Sequence, residues 1–423
     1  GAVLRDGSCR HLVMHVSGAS PYLARLMLRE QEALHAILTR GAQEVTQDAL
    51  EEMAAADREK SVDALHAAMR RAKRKAALAI ALGDVGGALD LFEVTGHLSD
   101  LAEAAIGAAT RFHLRAAHDA GKIVLKNREA PEEGSGLIIL AMGKFGAREL
   151  NYSSDIDIVV FFEPDHLKLA GNQEEAPFFV RLTQDIVRAI QTVTADGYVF
   201  RCDLRLRPDP SATQVAISAP AAEIYYESMG QNWERAAFIK ARAVGGDRKA
   251  GEAFLHMLTP FVFRRHLDYA AIDDMRAMKR QIHSARGHKT IAVEGHDIKL
   301  GRGGIREVEF YVQTRQLVLG GREMRLRGRE TRAMLDALVA LNHVPDVTRD
   351  ELMRAYRFFR TVEHRVQMTD DEQTHKLPAD AAGVARIANF AGYDDADAFR
   401  AELLAHLANV ERHFDSLFDN APA

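Results

Sequence analysis

The sequence predicts a predominantly helical α+β protein in which one small mixed sheet lies between two helical regions. Three observations carry this. Short apolar runs at Leu137–Met142 and Ile158–Phe162 are bounded by glycine and polar residues, as buried strands are. Residues Val199–Arg207 alternate strictly, with Phe200, Cys202, Leu204 and Leu206 on one face and Arg201, Asp203, Arg205 and Arg207 on the other. On both sides of this region, leucine and other apolar residues recur at helical spacing. With 423 residues the chain suits two or three domains. We place their limits at 1–126 (helical), 127–245 (the sheet domain) and 246–423 (helical).

In the first region, Ser20-Pro21 is a helix start, with Ser able to cap and Pro tolerated in the first turn. Leu23, Leu26, Met27, Leu34 and Leu38 then follow at helical intervals. A basic run, Arg70, Arg71, Lys73, Arg74 and Lys75, is expected to be a solvated helix face, the sharper alternative being a dock for an acidic partner. Lys126–Gly136, with Pro131, Gly134 and Gly136, has the composition of a linker.

Composition narrows the function. Hydrophobic residues make up 47% and charged ones 27%, ordinary for a protein with a substantial core, and a net charge of −5 gives no reason to expect nucleic acid. Cys9 and Cys202 are far apart in sequence, so no disulfide framework is expected and a reducing cytoplasm is the default. No signal peptide is evident, and the longest apolar run nearby, Ala76–Leu82, is too short to span a membrane, so no membrane partner is expected.

The chemistry concentrates between Leu137 and Phe162. Asp155 and Asp157 are two residues apart at a strand start and so share a face. Like charges that close favour a cation between them, and an all-oxygen donor set favours Mg²⁺ or Mn²⁺. Gly143 and Lys144 lie just upstream, and Ser153 and Ser154 adjoin the pair; small residues with exposed N–H groups and a lysine charge can hold a phosphate. A third carboxylate, Asp203, is expected on a neighbouring strand among arginines suited to phosphate.

Later segments add weaker candidates. Residues 163–177 have loop composition and lead to a helix through Phe179, Leu182, Ile186 and Ile190, while Asp209-Pro210 should end the Asp203 strand. Trp233, the only tryptophan, is expected in the core. At 297–307 the glycines suggest a tight turn into a helix near Gly304, whose N–H groups, with Lys299 and Arg306, would suit an anion. Thr348 and Glu351 have capping-box spacing. No HExxH, GxSxG or Walker A pattern competes.

The Gly143-Lys144, Asp155-X-Asp157 and Asp203 pattern resembles the nucleotidyltransferase superfamily that includes DNA polymerase beta. GKFGARELNYSSDIDIVVF, CDLRLRPDP, NWERAAFIKARAV, DIKLGRGGIREVEFYVQ and DDEQTHKLP together resemble the bacterial glutamine synthetase adenylyltransferase/deadenylylase family, whose chain carries two nucleotidyltransferase halves. Arg148-Glu149-Leu150-Asn151, Asp203-Leu204-Arg205, Trp233-Glu234-Arg235 with Lys240-Ala241-Arg242, and Gly304-Ile305-Arg306-Glu307 follow the N-terminal, adenylyl-removing half. Tyr152 alone is shared with the other half's pattern.

The resemblance implies a polymerase beta-like core flanked by helical domains, in a chain that is roughly half of the natural protein. It also implies phosphorolysis of AMP from the adenylylated tyrosine of glutamine synthetase, consuming phosphate and yielding ADP. Asp155, Asp157 and Asp203 would then hold two ions, Mg²⁺ or Mn²⁺. Gly143, Lys144, Ser153, Ser154, Arg205 and Arg207, with Lys240, Lys299 and Arg306 as further candidates, would meet phosphate or nucleotide. Implied partners are glutamine synthetase, the uridylylated PII signal protein and the C-terminal adenylyltransferase half. The alternatives are adenylyl transfer from ATP to the synthetase and a non-catalytic PII-binding module.

Overall fold

A computed structural model describes residues 7–171, 173–265 and 291–418. Of the described residues, 62% are helical, and one five-stranded mixed sheet stands beside a two-stranded antiparallel ladder of Ile123–Val124 with Lys168–Leu169, the α+β, mostly helical class that the sequence predicts. Its residues gather into two compact units: 1–39, 81–91 and 263–423 in one, and 40–80 with 92–262 in the other. No described helix is long and apolar enough to cross a membrane.

The second unit holds the sheet. Its strands are β1 (Leu137–Ala141), β2 (Ile156–Phe162), β3 (Cys202–Asp203), β4 (Ala216–Ser218) and β5 (Arg242–Gly246). β1 is central and antiparallel to both β2 and β5, while β3 and β4 run parallel to β2 at its other edge. β1 is apolar throughout because both of its faces are covered. Ile138 and Leu140 face the helix Arg248–Met257 at Gly251, and Phe161, paired with Ile138, packs on Phe254 at 4.6 Å. On the other face, Ile139 lies near Ile106 of the helix Leu91–Asp119, and Phe162 stacks on Phe179 of the helix Glu175–Gln191 at 4.6 Å.

Several expectations are corrected here. The strand foreseen over Val199–Arg207 is only two residues long. Asp203 ends it with its own side chain, since Oδ1 accepts the backbone N–H of Arg205 at 2.8 Å and bends the chain into a turn. Arg205 and Arg207 therefore lie beyond the strand. The basic run is also not a solvated face. Arg70 is fully buried and donates to the carbonyls of His66, Ala189, Thr192 and Gly197, so it closes the C-terminal end of the helix Glu175–Gln191. Arg74 holds Asp196, and Lys75 holds Glu52; Arg71 is exposed.

Segment 126–136 is pinned rather than loose. Glu132 accepts from the backbone N–H of Gly246 at 2.8 Å and from Arg111 at 3.2 Å, and Asp247 accepts from Gly134 N–H at 2.8 Å.

In the first unit, Ser20 caps the helix Pro21–Arg29 through Leu23 N–H, as its sequence suggests, and its hydroxyl also reaches the Met368 carbonyl at 2.6 Å. Residues 346–370 form one long helix, Asp346–Asp370. Its start follows Pro345, so Thr348 lies inside the first turns and not at the cap. Glu351 pairs instead with Arg412 at 2.7 Å and His413 at 2.6 Å. The helix foreseen near Gly304 runs over Ile305–Leu319 with Gly304 as its N-cap.

Candidate active site

The site is built on the turn between β1 and β2. β1 ends where Met142 N–H donates to the Asp157 carbonyl at 2.8 Å, and one helical turn, Gly143–Gly146, follows. Gly143 adopts φ +53°, and a Cβ there would stand 3.1 Å from Asp157 Oδ2, so the Asp157 carboxylate lies against this turn. Gly146 allows a closer approach. A Cβ there would lie 1.9 Å from the Lys240 carbonyl oxygen and 2.6 Å from that of Ala141.

The turn is braced from behind. Lys240 Nζ and Glu149 Oε2 form a buried ion pair at 2.8 Å. Arg242 donates to the Gly146 carbonyl at 3.3 Å and lies over the Phe145 ring. Lys240, foreseen at the nucleotide, thus has its ammonium engaged inside the protein, where burial of both partners makes the pair a positional constraint.

The three acidic residues lie along one edge of the sheet. Asp155 precedes β2, Asp157 is its second residue, and the parallel register sets Asp203 of β3 directly opposite Asp157. The charge of the Arg205 guanidinium is stabilised first by hydrogen bonding to Asp203 and then by Asp157 and Asp155, which places all three acids within its field. Reciprocally, Arg205 holds the Asp203 carboxyl below its ordinary range. Cys202, beside Asp203, is pushed up to about 12 by burial and by Asp155, so it is an inert thiol.

Two arginines occupy these carboxylates. Arg201 Nε donates to Asp155 Oδ1 at 2.7 Å, while its other nitrogens reach Tyr198 Oη at 2.9 Å and the carbonyl and hydroxyl of Ser153. Arg205 Nε lies 3.0 and 2.9 Å from the two oxygens of Asp203, and Nη2 lies 2.5 Å from Oδ2. Arg201, read from the sequence only as one of the arginines on the Asp203 face, instead holds Asp155.

The remaining candidates divide. Lys144 and Ser154 are half-buried beside the turn and the carboxylates. Ser153 is buried, its hydroxyl facing Arg201. Arg207 folds back onto the carbonyls of Leu204, Pro210 and Thr213 and shapes its own loop. Trp233 is not in the core: it is 45% exposed in the first turn of the helix Asn232–Phe238.

Lys299 and Arg306 belong to the other unit. There the helix start offers no free donors for an anion. Ile305 and Arg306 N–H bond the carbonyls of Ile298 and Lys299, Glu307 N–H bonds Gly304, and Gly303 N–H bonds the Glu307 carboxyl.

All-oxygen donors on neighbouring strands suit a hard divalent ion in kind. Among the described residues, no three acidic, histidine or cysteine side chains already stand close enough to share one. A cavity of about 360 Å³, lined by His113, Lys122, Phe178, Arg181 and others, includes none of the three carboxylates, which are half-buried at the sheet edge.

Comparison with known proteins adds three findings. Residues 10–257 match the family model for glutamate-ammonia ligase adenylyltransferase, and residues 273–418 match that for GlnD PII-uridylyltransferase. The chain is 56% identical over 351 residues to a bifunctional glutamine synthetase adenylyltransferase/adenylyl-removing enzyme of Bradyrhizobium diazoefficiens, covering 83% of this chain and 35% of that protein. Proteins of the same description from Bradyrhizobium sp. (strain BTAi1) and Rhizobium meliloti are 48% and 54% identical, covering 100% and 83% of this chain and 43% and 36% of theirs. The chain thus spans about two-fifths of the length of these relatives and matches their N-terminal portion.

Proposed function

The chain belongs to the glutamate-ammonia ligase adenylyltransferase family, and from that premise we propose that it removes AMP from the adenylylated tyrosine of glutamine synthetase by phosphorolysis, releasing ADP. The observation that carries this reading is the register that sets Asp203 opposite Asp157, with Asp155 and the Gly143 turn beside them. The residues Arg148–Asn151, Trp233–Arg235 and Gly304–Glu307 favour removal over transfer, by resemblance to the adenylyl-removing half.

Asp155, Asp157 and Asp203 would hold divalent ions, Mg²⁺ or Mn²⁺, which when bound supply charge neutralisation at the phosphate oxygens. The protein's own contribution is placement. Gly143 leaves room at the turn for a phosphate against backbone N–H groups, with the Lys144 charge and the Ser154 hydroxyl adjacent. Arg205, beside Asp203, supplies an exposed guanidinium. Arg201 fixes Asp155, and the Lys240–Glu149 pair fixes the turn. The phenol of the released tyrosine has an ordinary pKa of about 10 and leaves without a dedicated general acid. A PII-type signal protein and the remainder of the longer chain are the expected partners.

The test incubates this chain with adenylylated glutamine synthetase, Mg²⁺ and orthophosphate, following ADP and the intact mass of the synthetase subunit. Phosphate-dependent ADP release with loss of the AMP mass is expected, and Asp157→Asn should abolish it. ATP-driven mass gain on unmodified synthetase, without release, would overturn the assignment in favour of adenylyl transfer.

A further inference from the structure

Asp155 and Asp203 each meet an arginine, and the two arginines are held very differently. Arg201 is built in: besides Asp155 it bonds Tyr198 Oη and the carbonyl and hydroxyl of Ser153, and its guanidinium lies 5.5 Å from the Tyr198 ring centre. Arg205 has Asp203 as its only hydrogen-bond partner among the described residues, and its side chain is 83% exposed. A guanidinium so placed can leave Asp203 at the cost of one exposed ion pair and remain beside the site, because its backbone N–H stays bonded to Asp203 Oδ1.

We infer that Arg205 is an exchangeable counter-ion: it occupies Asp203 until a divalent cation takes those oxygens, and then turns to the oxygens of the phosphate. The inference rests on the proposed nucleotidyltransferase reading of the three acids. Its physical basis is competition. Arg205 and a divalent cation need the same two oxygens and repel each other, so binding one weakens the other. Once displaced, the planar guanidinium fork matches two phosphate oxygens, which an ammonium would not. Arg201 has too many fixed partners to exchange and serves instead to position Asp155. The same loop segment thereby supplies an acid for the metal and a cation for the anion.

The experiment titrates Mn²⁺ into the protein, followed by its electron paramagnetic resonance signal, and then titrates orthophosphate calorimetrically with Mn²⁺ saturating. Arg205→Ala should bind Mn²⁺ about two- to five-fold more tightly, the worth of an exposed ion pair, and orthophosphate more weakly. Arg71→Ala, which removes an equal charge elsewhere on the surface, should change neither. Unchanged or weaker Mn²⁺ binding by Arg205→Ala overturns the exchange, as does undiminished phosphate binding. Absence of Mn²⁺ binding by the parent protein, with Asp157→Asn no different, overturns the metal-site reading itself and the exchange with it.

Discussion

Gly143 and Gly146 bound one helical turn, yet substitution by alanine should damage different properties. At Gly146 the added Cβ would stand 1.9 Å from the Lys240 carbonyl oxygen and 2.6 Å from that of Ala141, both backbone atoms. Reaching a tolerable 3.0 Å requires the turn to move by about 1.1 Å away from the entry to β5, which loosens the Arg242 and Lys240 braces together. Overpacking against rigid backbone costs upwards of about 3 kcal/mol, or roughly a 6–12 °C drop in melting temperature for a unit of this size. At Gly143 the strain is a left-handed φ, about 1–2 kcal/mol, and a Cβ 3.1 Å from Asp157 Oδ2. There the carboxylate gives way by a few tenths of an ångström, so phosphorolysis should fall about ten-fold or more while melting drops only about 2–8 °C. Circular dichroism melts beside ADP-release assays on both variants separate the effects. A Gly146→Ala protein melting within about 2 °C of the parent would refute this account of the turn.

Other outcomes follow from single contacts. Arg201→Lys keeps the charge but loses the fork spanning Asp155, Tyr198 and Ser153, so activity should drop about 10–100-fold with a near-native melt. Arg70→Met strips four carbonyls of a buried donor and should cost about 3 kcal/mol in denaturant unfolding, against less than about 0.5 for Arg71→Ala. Glu307 is buried, and burial, helped by Asp415 and Glu411 and opposed by the Gly303 N–H bond and by Arg302, raises its carboxyl to about 8. Between the ordinary 4.5 and about 8 the unfolded chain has lost a proton that the native one keeps. Stability from this group is therefore greatest below pH 4.5 and falls by about 1.4 kcal/mol per pH unit across that window. Glu307→Gln, which still accepts from Gly303 N–H, should flatten that slope in denaturant midpoints taken at several pH values.

The strands at 137–141 and 156–162 were legible because they are buried on both faces and so apolar throughout. Asp203 was legible as the third acid because alternation marked a strand, although the strand stops at Asp203 itself. That stop depends on one side-chain bond to Arg205 N–H, which a pattern of alternating residues does not encode. Arg70 looked like surface because its neighbours are basic. Its burial is decided by carbonyls some 120 residues later, at Ala189 and Thr192. The residues that resemble one half of the family, Glu149 and Arg235 among them, are buried and bonded internally. Glu149 meets Lys240, and Arg235 bonds Asn232 and the carbonyls of Phe261 and Val262. They mark a packing scheme, and the proposed chemistry falls to the acids beside it.

The interrupted make-up of the first unit has a consequence during synthesis. Its helices within residues 1–39 gather with residues 81–91 and 263–423, as the Ser20 bond to Met368 illustrates. At about 5–20 residues per second, a ribosome spends roughly 10–45 s between the first and last of these segments. Meanwhile the sheet unit can close as soon as residue 262 has emerged. Leu23, Leu26 and Met27, buried in the finished protein, therefore wait through that interval for the later part of their apolar cover, the kind of exposure that invites aggregation during synthesis.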